Sequence, residues 1–324
     1  MINRRSLAIA VFAVLVAMSD VLAQGAQAPA AGAPQGRGAG GGRGRGPAFT
    51  PAAGAKDLKS VLYNWTWHMG MLRSGAESEL VKTLDYHAAG GTIQVDGQPC
   101  TLTTYRLQAN YQIPGYRTQI ECKRPNGQTY KNVETMSGDY AWDEDIPGAE
   151  LVAGKGKATP KPAALEERRI RLWASPQGAP KAAIAGAAGL PVYESFGQNP
   201  ATLLDRQTAA GAKATTTLTW QGDKAVVTFP IPGVAGAVAT ATLDSGYLPE
   251  RVVVKNGTNT TEFVYSNFED FNNPLFKIEA LYPTTMVERR NGTVVRSITA
   301  KVTEIGQIYV IVPVPDSVRK AAGK

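Results

Sequence analysis

From Thr215 onward, short runs of β-branched and apolar residues alternate with polar residues, and each run ends in turn chemistry. "TTTLTW" stops at Gly222-Asp223, "AVVTF" at "PIPG", "AVATATL" at Ser245-Gly246 and "ERVVVK" at Asn256-Gly257. "TEFVYSNF" breaks near Asn272-Asn273-Pro274, and "IEALYPTTMVE" leads through Asn291-Gly292 into "VVRSITAKVTEI". Asn-Gly between such runs predicts tight hairpins, because a type I′ turn needs positive φ at both central residues. The pattern predicts an antiparallel meander. A second β block is predicted over about residues 91–143, with another hairpin at Asn126-Gly127.

Helical periodicity is scarcer. Asp57 is placed to cap "LKSVLYNWTWHMGMLRS", where Leu58, Val61, Leu62, Trp65, Met69 and Leu72 recur on one face. "ESELVKTLDYH" fits either more helix or the first strand. "SPQGAPKAAIAGAA" predicts a short Ala-rich helix between the β blocks, and 153–164 has loop chemistry. The predicted fold is mainly β: a curved antiparallel sheet or half-open barrel, with the N-terminal helix and the short helical insert on its concave face.

The chain's start alters this picture. Arg4 and Arg5 precede the apolar run "LAIAVFAVLVAM", and Val21 and Ala23 supply the small residues of a cleavage site. The run is shorter than the roughly 20 residues that span a bilayer. Residues 1–23 are therefore predicted to be a cleaved signal peptide, with the mature protein periplasmic or secreted. No later segment is long and apolar enough for a membrane helix.

Charge matters next, because "PQGRGAGGGRGRGPAF" at 34–49 looks like an RNA-coating Arg-Gly tract. The net charge is +7, but the first 56 residues carry five of those charges, leaving a nearly neutral body. No global charge argument for nucleic acid remains. Residues 24–56 read as a disordered Gly/Ala/Pro/Arg linker, and 57–320 as a single β-rich domain.

Cys100 and Cys122 are the whole thiol inventory. In an oxidising compartment the pair predicts one disulfide. A hairpin centred on Pro114-Gly115, however, sets Leu107 opposite Cys122 and leaves Cys100 roughly 23 Å further along, against the about 7 Å a disulfide tolerates. Either the chain bends near Gly97–Cys100, or the turn lies elsewhere, or the thiols are separate.

Catalytic chemistry is not visible. His68 and His87 are the only histidines, and neither has a second ligand at helical or strand spacing. No Gly-x-Ser-x-Gly elbow and no phosphate loop occurs. The acidic run Asp139, Asp143, Glu144, Asp145 and Glu150 lacks calcium-loop spacing and reads as a solvated turn. No catalytic residue, metal or cofactor is predicted. The aromatic residues are what any β-rich core is made of and also what lines an apolar ligand site; on the second reading, which rests on the predicted fold, Trp65, Trp67, Tyr105, Tyr111 and Trp142 are the cavity candidates.

Five stretches carry a resemblance: "ETMSGDYAWDED" (134–145), "RIRLWASPQGAPKAA" (169–183), "GYLPERV" (246–252), "YSNFEDF" (265–271) and "VPVPDSVR" (312–319). On these the chain resembles a group of secreted bacterial proteins without assigned function. It is also similar to the N-terminal domain that precedes the hydrolase in some metallo-β-lactamase-fold chains, with the hydrolase part absent. More distantly, the architecture resembles periplasmic lipoprotein carriers, whose half-open barrel shelters acyl chains. The resemblance implies an exported, non-enzymatic binding or carrier protein for an apolar or acylated ligand. An envelope partner-docking domain, or an accessory domain to a hydrolase, is the alternative.

Overall fold

The computed structural model describes residues 49–72, 81–271, 280–305 and 309–323. The expected signal peptide, and the linker up to residue 48, lie outside the described residues.

Helix α1 spans Leu58–His68. Its Asp57 cap accepts hydrogen bonds from the Ser60 backbone N (2.9 Å) and hydroxyl (2.7 Å), which satisfies one otherwise orphaned amide. The predicted helix was longer. It stops because Gly70 turns the chain at φ 70°, and Met69 and Leu72 are buried beyond its end. Residues 49–56 form no helix or strand, yet Phe49 packs edge-on against Tyr63 with centroids 5.1 Å apart.

The strands form one antiparallel sheet of thirteen. The first block holds β1 (Thr83–Val95), β2 (Gln98–Asn110), β3 (Gly115–Lys123), β4 (Thr129–Ser137), β5 (Tyr140–Glu144) and β6 (Ala158–Pro160). The second holds β7 (Thr217–Gln221), β8 (Lys224–Pro230), β9 (Val238–Leu243), β10 (Pro249–Asn256), β11 (Asn259–Asp270), β12 (Leu281–Arg290) and β13 (Thr293–Ile305). Each block is a meander of neighbours. The two meet where β1 pairs with β13, leaving β6 and β7 as the edges. At this seam Gly91 has φ 133°, and a Cβ there would lie 2.1 Å from the Ser297 carbonyl oxygen. Only glycine fits so close an approach. Asn291 and Gly292 both have positive φ, as the type I′ turn demands.

The fold is thus a curved, mostly antiparallel sheet with helices, as the alternation predicts, and it does not close into a regular barrel. The insert is larger than expected. It runs from a 3-10 turn (Pro162–Ala164) through α2 (Leu165–Ala174), α3 (Gly178–Ala188), α4 (Val192–Ser195) and α5 (Pro200–Ala209). Only α3 was legible. It is buried along its length, and its small residues let it lie close on the sheet. A Cβ on Gly186 would sit 2.5 Å from the Thr216 hydroxyl.

The β2–β3 register also differs. Asn110 pairs with Gly115, so Leu102, and not Leu107, stands opposite Cys122. The Asn110 carboxamide oxygen accepts from the Gln112 and Ile113 amides and fixes a four-residue turn. A bulge between Leu102 and Thr104 completes the adjustment. Cys100 and Cys122 then come to 5.5 Å between Cα atoms and form the disulfide.

A last helix, α6 (Asp316–Ala321), follows an extended segment that crosses the convex side of the sheet. Val310, Val312 and Val318 enclose Trp142 and Ala158 there in a second, small core.

Candidate functional site

On the concave face, side chains alternate inward along each strand. Tyr105, Leu107 and Ala109 of β2, Tyr116 of β3, Phe263 and Tyr265 of β11, Tyr282, Met286 and Glu288 of β12, and Arg296 and Ile298 of β13 face α2. Helix α2 contributes Arg171 and Leu172, and with Ser175 and Pro176 it roofs a cavity of about 60 Å³.

One end of this cavity is apolar and tyrosine-rich. Tyr282 lies against Tyr86, centroids 5.5 Å apart, and Tyr86 lies edge-on to Tyr105 at 6.1 Å. The Tyr265 hydroxyl donates to the Ala174 carbonyl at 2.7 Å, and the Tyr111 and Ser175 hydroxyls bond at 3.0 Å. The sheet thereby holds the roof by its backbone end.

The other end is a collar of ion pairs. Arg171 donates from Nε to Glu288 at 3.0 Å and from Nη1 to Glu134 at 3.3 Å. Arg296 grips both Glu134 oxygens, at 3.0 and 2.8 Å, and its Nε lies 3.4 Å from Glu288. Arg290 donates twice to Glu288, both at 3.0 Å, and meets both Glu167 oxygens, at 2.7 and 2.5 Å. Glu167 also meets Arg171, one helical turn on, at 2.5 Å. Tyr116 donates its hydroxyl to Glu134 at 3.2 Å.

These charges shift one another. Burial alone would raise the Glu134 carboxyl, but Arg296, Arg171 and Arg168 outweigh it and hold the group far below the ordinary carboxylate range. Glu288 is likewise lowered: burial opposes ionisation, and Arg171, Arg296 and Arg290 overcome it. Burial, reinforced by Glu134, pushes the Tyr116 phenol up to about 12, and burial raises Tyr105 too. All the carboxylates of the collar are ionised near neutral pH and both phenols are protonated; Tyr116 donates to Glu134, and Tyr105 accepts from Arg296 at 3.4 Å.

Two neighbouring arginines fasten α2 further. Arg168 donates to the Thr135 and Trp142 carbonyls at 2.8 and 2.7 Å and to Asp143 at 2.5 Å. Arg169 reaches the Gly233 carbonyl at 2.7 Å and Asp139 at 2.6 Å.

Of the five cavity candidates, the structure places Tyr105 and Tyr111 in the lining. Trp65 is fully buried on α1 beside Phe229, centroids 6.4 Å apart, and does not line this cavity. Trp67 is 41% exposed and stacks on Tyr63. Trp142 faces the convex side under the C-terminal segment, with its indole N–H on Glu144 at 2.9 Å. The acidic run is not a solvated turn throughout, since Glu144 is buried and paired with Arg117. The collar residues carry no motif, and the sequence assigns them no role. Strand alternation carried the signal: Glu288 shares a face with Tyr282 and Met286, and Arg296 with Ile298. Among the described residues no three His, Cys, Asp or Glu side chains gather as a metal site, and no helix is long and apolar enough to cross a membrane.

Set against family models and curated proteins, the chain matches none. Among solved structures it is similar to a domain from Vibrio parahaemolyticus assigned to outer membrane lipoprotein sorting. That match has 9% identity and a TM-score of 0.39, covering 77% of this chain and 93% of that one. None of the three comparisons supports the expected link to metallo-β-lactamase-fold chains. A likeness this faint carries no weight below; the geometry does.

Proposed function

We propose that this chain is an exported, non-enzymatic binding or carrier protein that holds an apolar or acylated ligand between the concave sheet face and α2. The observation that carries the reading is the roofed cavity: apolar and tyrosine-lined within, ringed by ion pairs at one side. The disulfide supports an extracytoplasmic setting, where thiols oxidise.

Size decides how a ligand enters. A cavity of about 60 Å³ is well below the ~150 Å³ that takes up a benzene ring. An acyl chain therefore requires α2 to lift. That movement exchanges the polar contacts of Arg168, Arg169 and Arg171 for solvent, while the tail gains about 0.8 kcal/mol per buried methylene.

Native mass spectrometry of protein purified gently from its own compartment tests the reading, together with titration of a fluorescent fatty acid. A co-purifying lipid, or one saturable site that tightens with acyl length, supports it. Failure of the probe to saturate removes it.

A second reading, envelope docking, draws on the convex side. Tyr309 is 95% exposed, and Ile311 and Ile113 are 69% exposed. The Asn110 side chain bonds the Val310 carbonyl at 2.9 Å and draws the turn bearing Ile113 to this segment. Exposed apolar residues grouped in this way mark contact surfaces. Replacing Tyr309 and Ile311 by serine would abolish envelope co-fractionation under this reading and leave it intact under the first.

A further inference from the structure

The collar separates two voids. On its inner side is the cavity under α2, and on its outer side a larger cleft of about 530 Å³. Arg171 and Arg296 border both, and Glu134 borders the cleft. The cleft's remaining walls include Gln94, Thr293, Glu167 and Arg290. A polar basin and an apolar chamber thus share one wall of ion pairs.

Charge in the cleft is unevenly held. Three arginines face two glutamates, Glu134 and Glu167. Glu134 is the deeper one, its side chain 17% exposed and bonded by Arg296, Arg171 and Tyr116 together. Glu167 differs. Its side chain is 39% exposed, it rides on the roof helix, and only Arg171 and Arg290 hold it. Arg290 is itself anchored from behind by Glu288, so its guanidinium stays presented to the cleft when Glu167 leaves.

We propose that the cleft seats an anionic headgroup, a carboxylate or phosphate on the amphiphile whose tail fills the cavity, and that Glu167 occupies the headgroup's place in the empty protein. The inference rests on the carrier reading and names the chemistry of its ligand. Arg290, which stays on the sheet, offers the incoming anion the same forked donors it gives Glu167. Lifting α2 to admit the tail carries Glu167 away from the sheet and vacates Arg290. A cationic head meets the guanidinium of Arg290, which Glu167 has left, and is refused.

The test uses the mature chain and a matched dodecyl series: the carboxylate, the phosphate, the neutral alcohol and the trimethylammonium, with inorganic phosphate as a tail-free probe. Calorimetry or probe displacement reads the affinities. The two anions are expected to bind about tenfold or more tighter than the alcohol, by a margin that shrinks with added salt. Glu167→Gln removes a contact that every tail must break, and is expected to tighten the alcohol and both anions several-fold. Arg290→Gln is expected to weaken the anions alone, with thermal melting confirming that the variant folds. Equal affinity for alcohol and anions, or Glu167→Gln without effect, overturns the headgroup seat while the carrier reading stands. Saturable binding by none of the series overturns both. Inorganic phosphate binding as tightly as dodecyl phosphate overturns the amphiphile and leaves a simple anion site.

Discussion

The molecule buries arginine–glutamate pairs on both faces of its sheet, and the two arrangements differ in how they end. On the convex side, Arg117 meets Glu144 at 3.1 and 3.2 Å. The Trp142 indole adds a third donor and the Gly148 amide a fourth, at 2.7 Å. Every lone pair of that carboxylate has a partner, and the C-terminal segment seals the neighbouring Trp142. On the concave side the ion pairs run from Glu134 through Arg296, Glu288 and Arg290 to Glu167, which meets solvent. One is a sealed knot, and the other a chain that Arg171 ties back on itself but that keeps one solvent-exposed member, Glu167. A buried charge with all its partners fixed is architecture, whereas a chain with an exposed, replaceable member is able to exchange that member for a ligand.

The comparison is broken most forcefully at the knot. Glu144→Ala leaves the Arg117 charge buried without its partner, and is expected to cost about 3–5 kcal/mol in denaturant unfolding. Dodecyl carboxylate affinity of the folded fraction should stay unchanged; a selective loss of binding would make the convex pair part of the site. Next in size is the disulfide. It closes a loop between residues separated by 22 in sequence, and Cys100→Ser with Cys122→Ser should cost about 3 kcal/mol. Strands β2 and β3 carry Tyr105 inward and Arg117 outward, so the loss should soften both faces alike. Amide exchange that rises on one face only would refute this.

Acid should reveal the chain. Glu134 and Glu288 have folded values below their ordinary 4.5. Their stabilising contribution is therefore complete above that value and is lost progressively as pH falls beneath it. Urea midpoints measured from about pH 5 to pH 3 should decline, and Glu134→Gln should flatten the decline. An unchanged slope would mean that Glu134 is not held ionised by its arginines. The smallest effect belongs to Glu167. Partly exposed ion pairs contribute about 0–1 kcal/mol, so Glu167→Gln should hardly move the melting curve. A loss as large as that of Glu144→Ala would erase the distinction between knot and chain.

The meander was legible because its turns carry their own chemistry. Asn126-Gly127 and Asn291-Gly292 announce hairpins whatever surrounds them. Helix α2 was not legible, since "LEERRIRLWA" buries Arg168 against backbone carbonyls and polarity there no longer marks the exposed face. The β2–β3 turn misled because Pro114-Gly115 has turn composition, while the side chain of Asn110, outside that pair, sets the register. For the site, large aromatics on α1 drew attention to Trp65, which packs the core. The cavity is lined by tyrosines, whose hydroxyls the roof and the collar use. Glu288 and Arg296 could have been placed inward by strict alternation with Tyr282 and Ile298, had burial of charge been allowed.

The β1–β13 seam has a consequence for how the chain tolerates cutting. The only covalent path between the two meanders runs through the helical insert, and residues 208–215 at its far end are exposed. A break there removes one peptide bond but leaves Leu84–Ile93 laddered to Arg296–Ile305. The severed pieces would each keep a complete meander and be held edge to edge by backbone hydrogen bonds. Polypeptide continuity is thus dispensable at this point. Two separately produced fragments should find each other, making the protein a natural candidate for complementation.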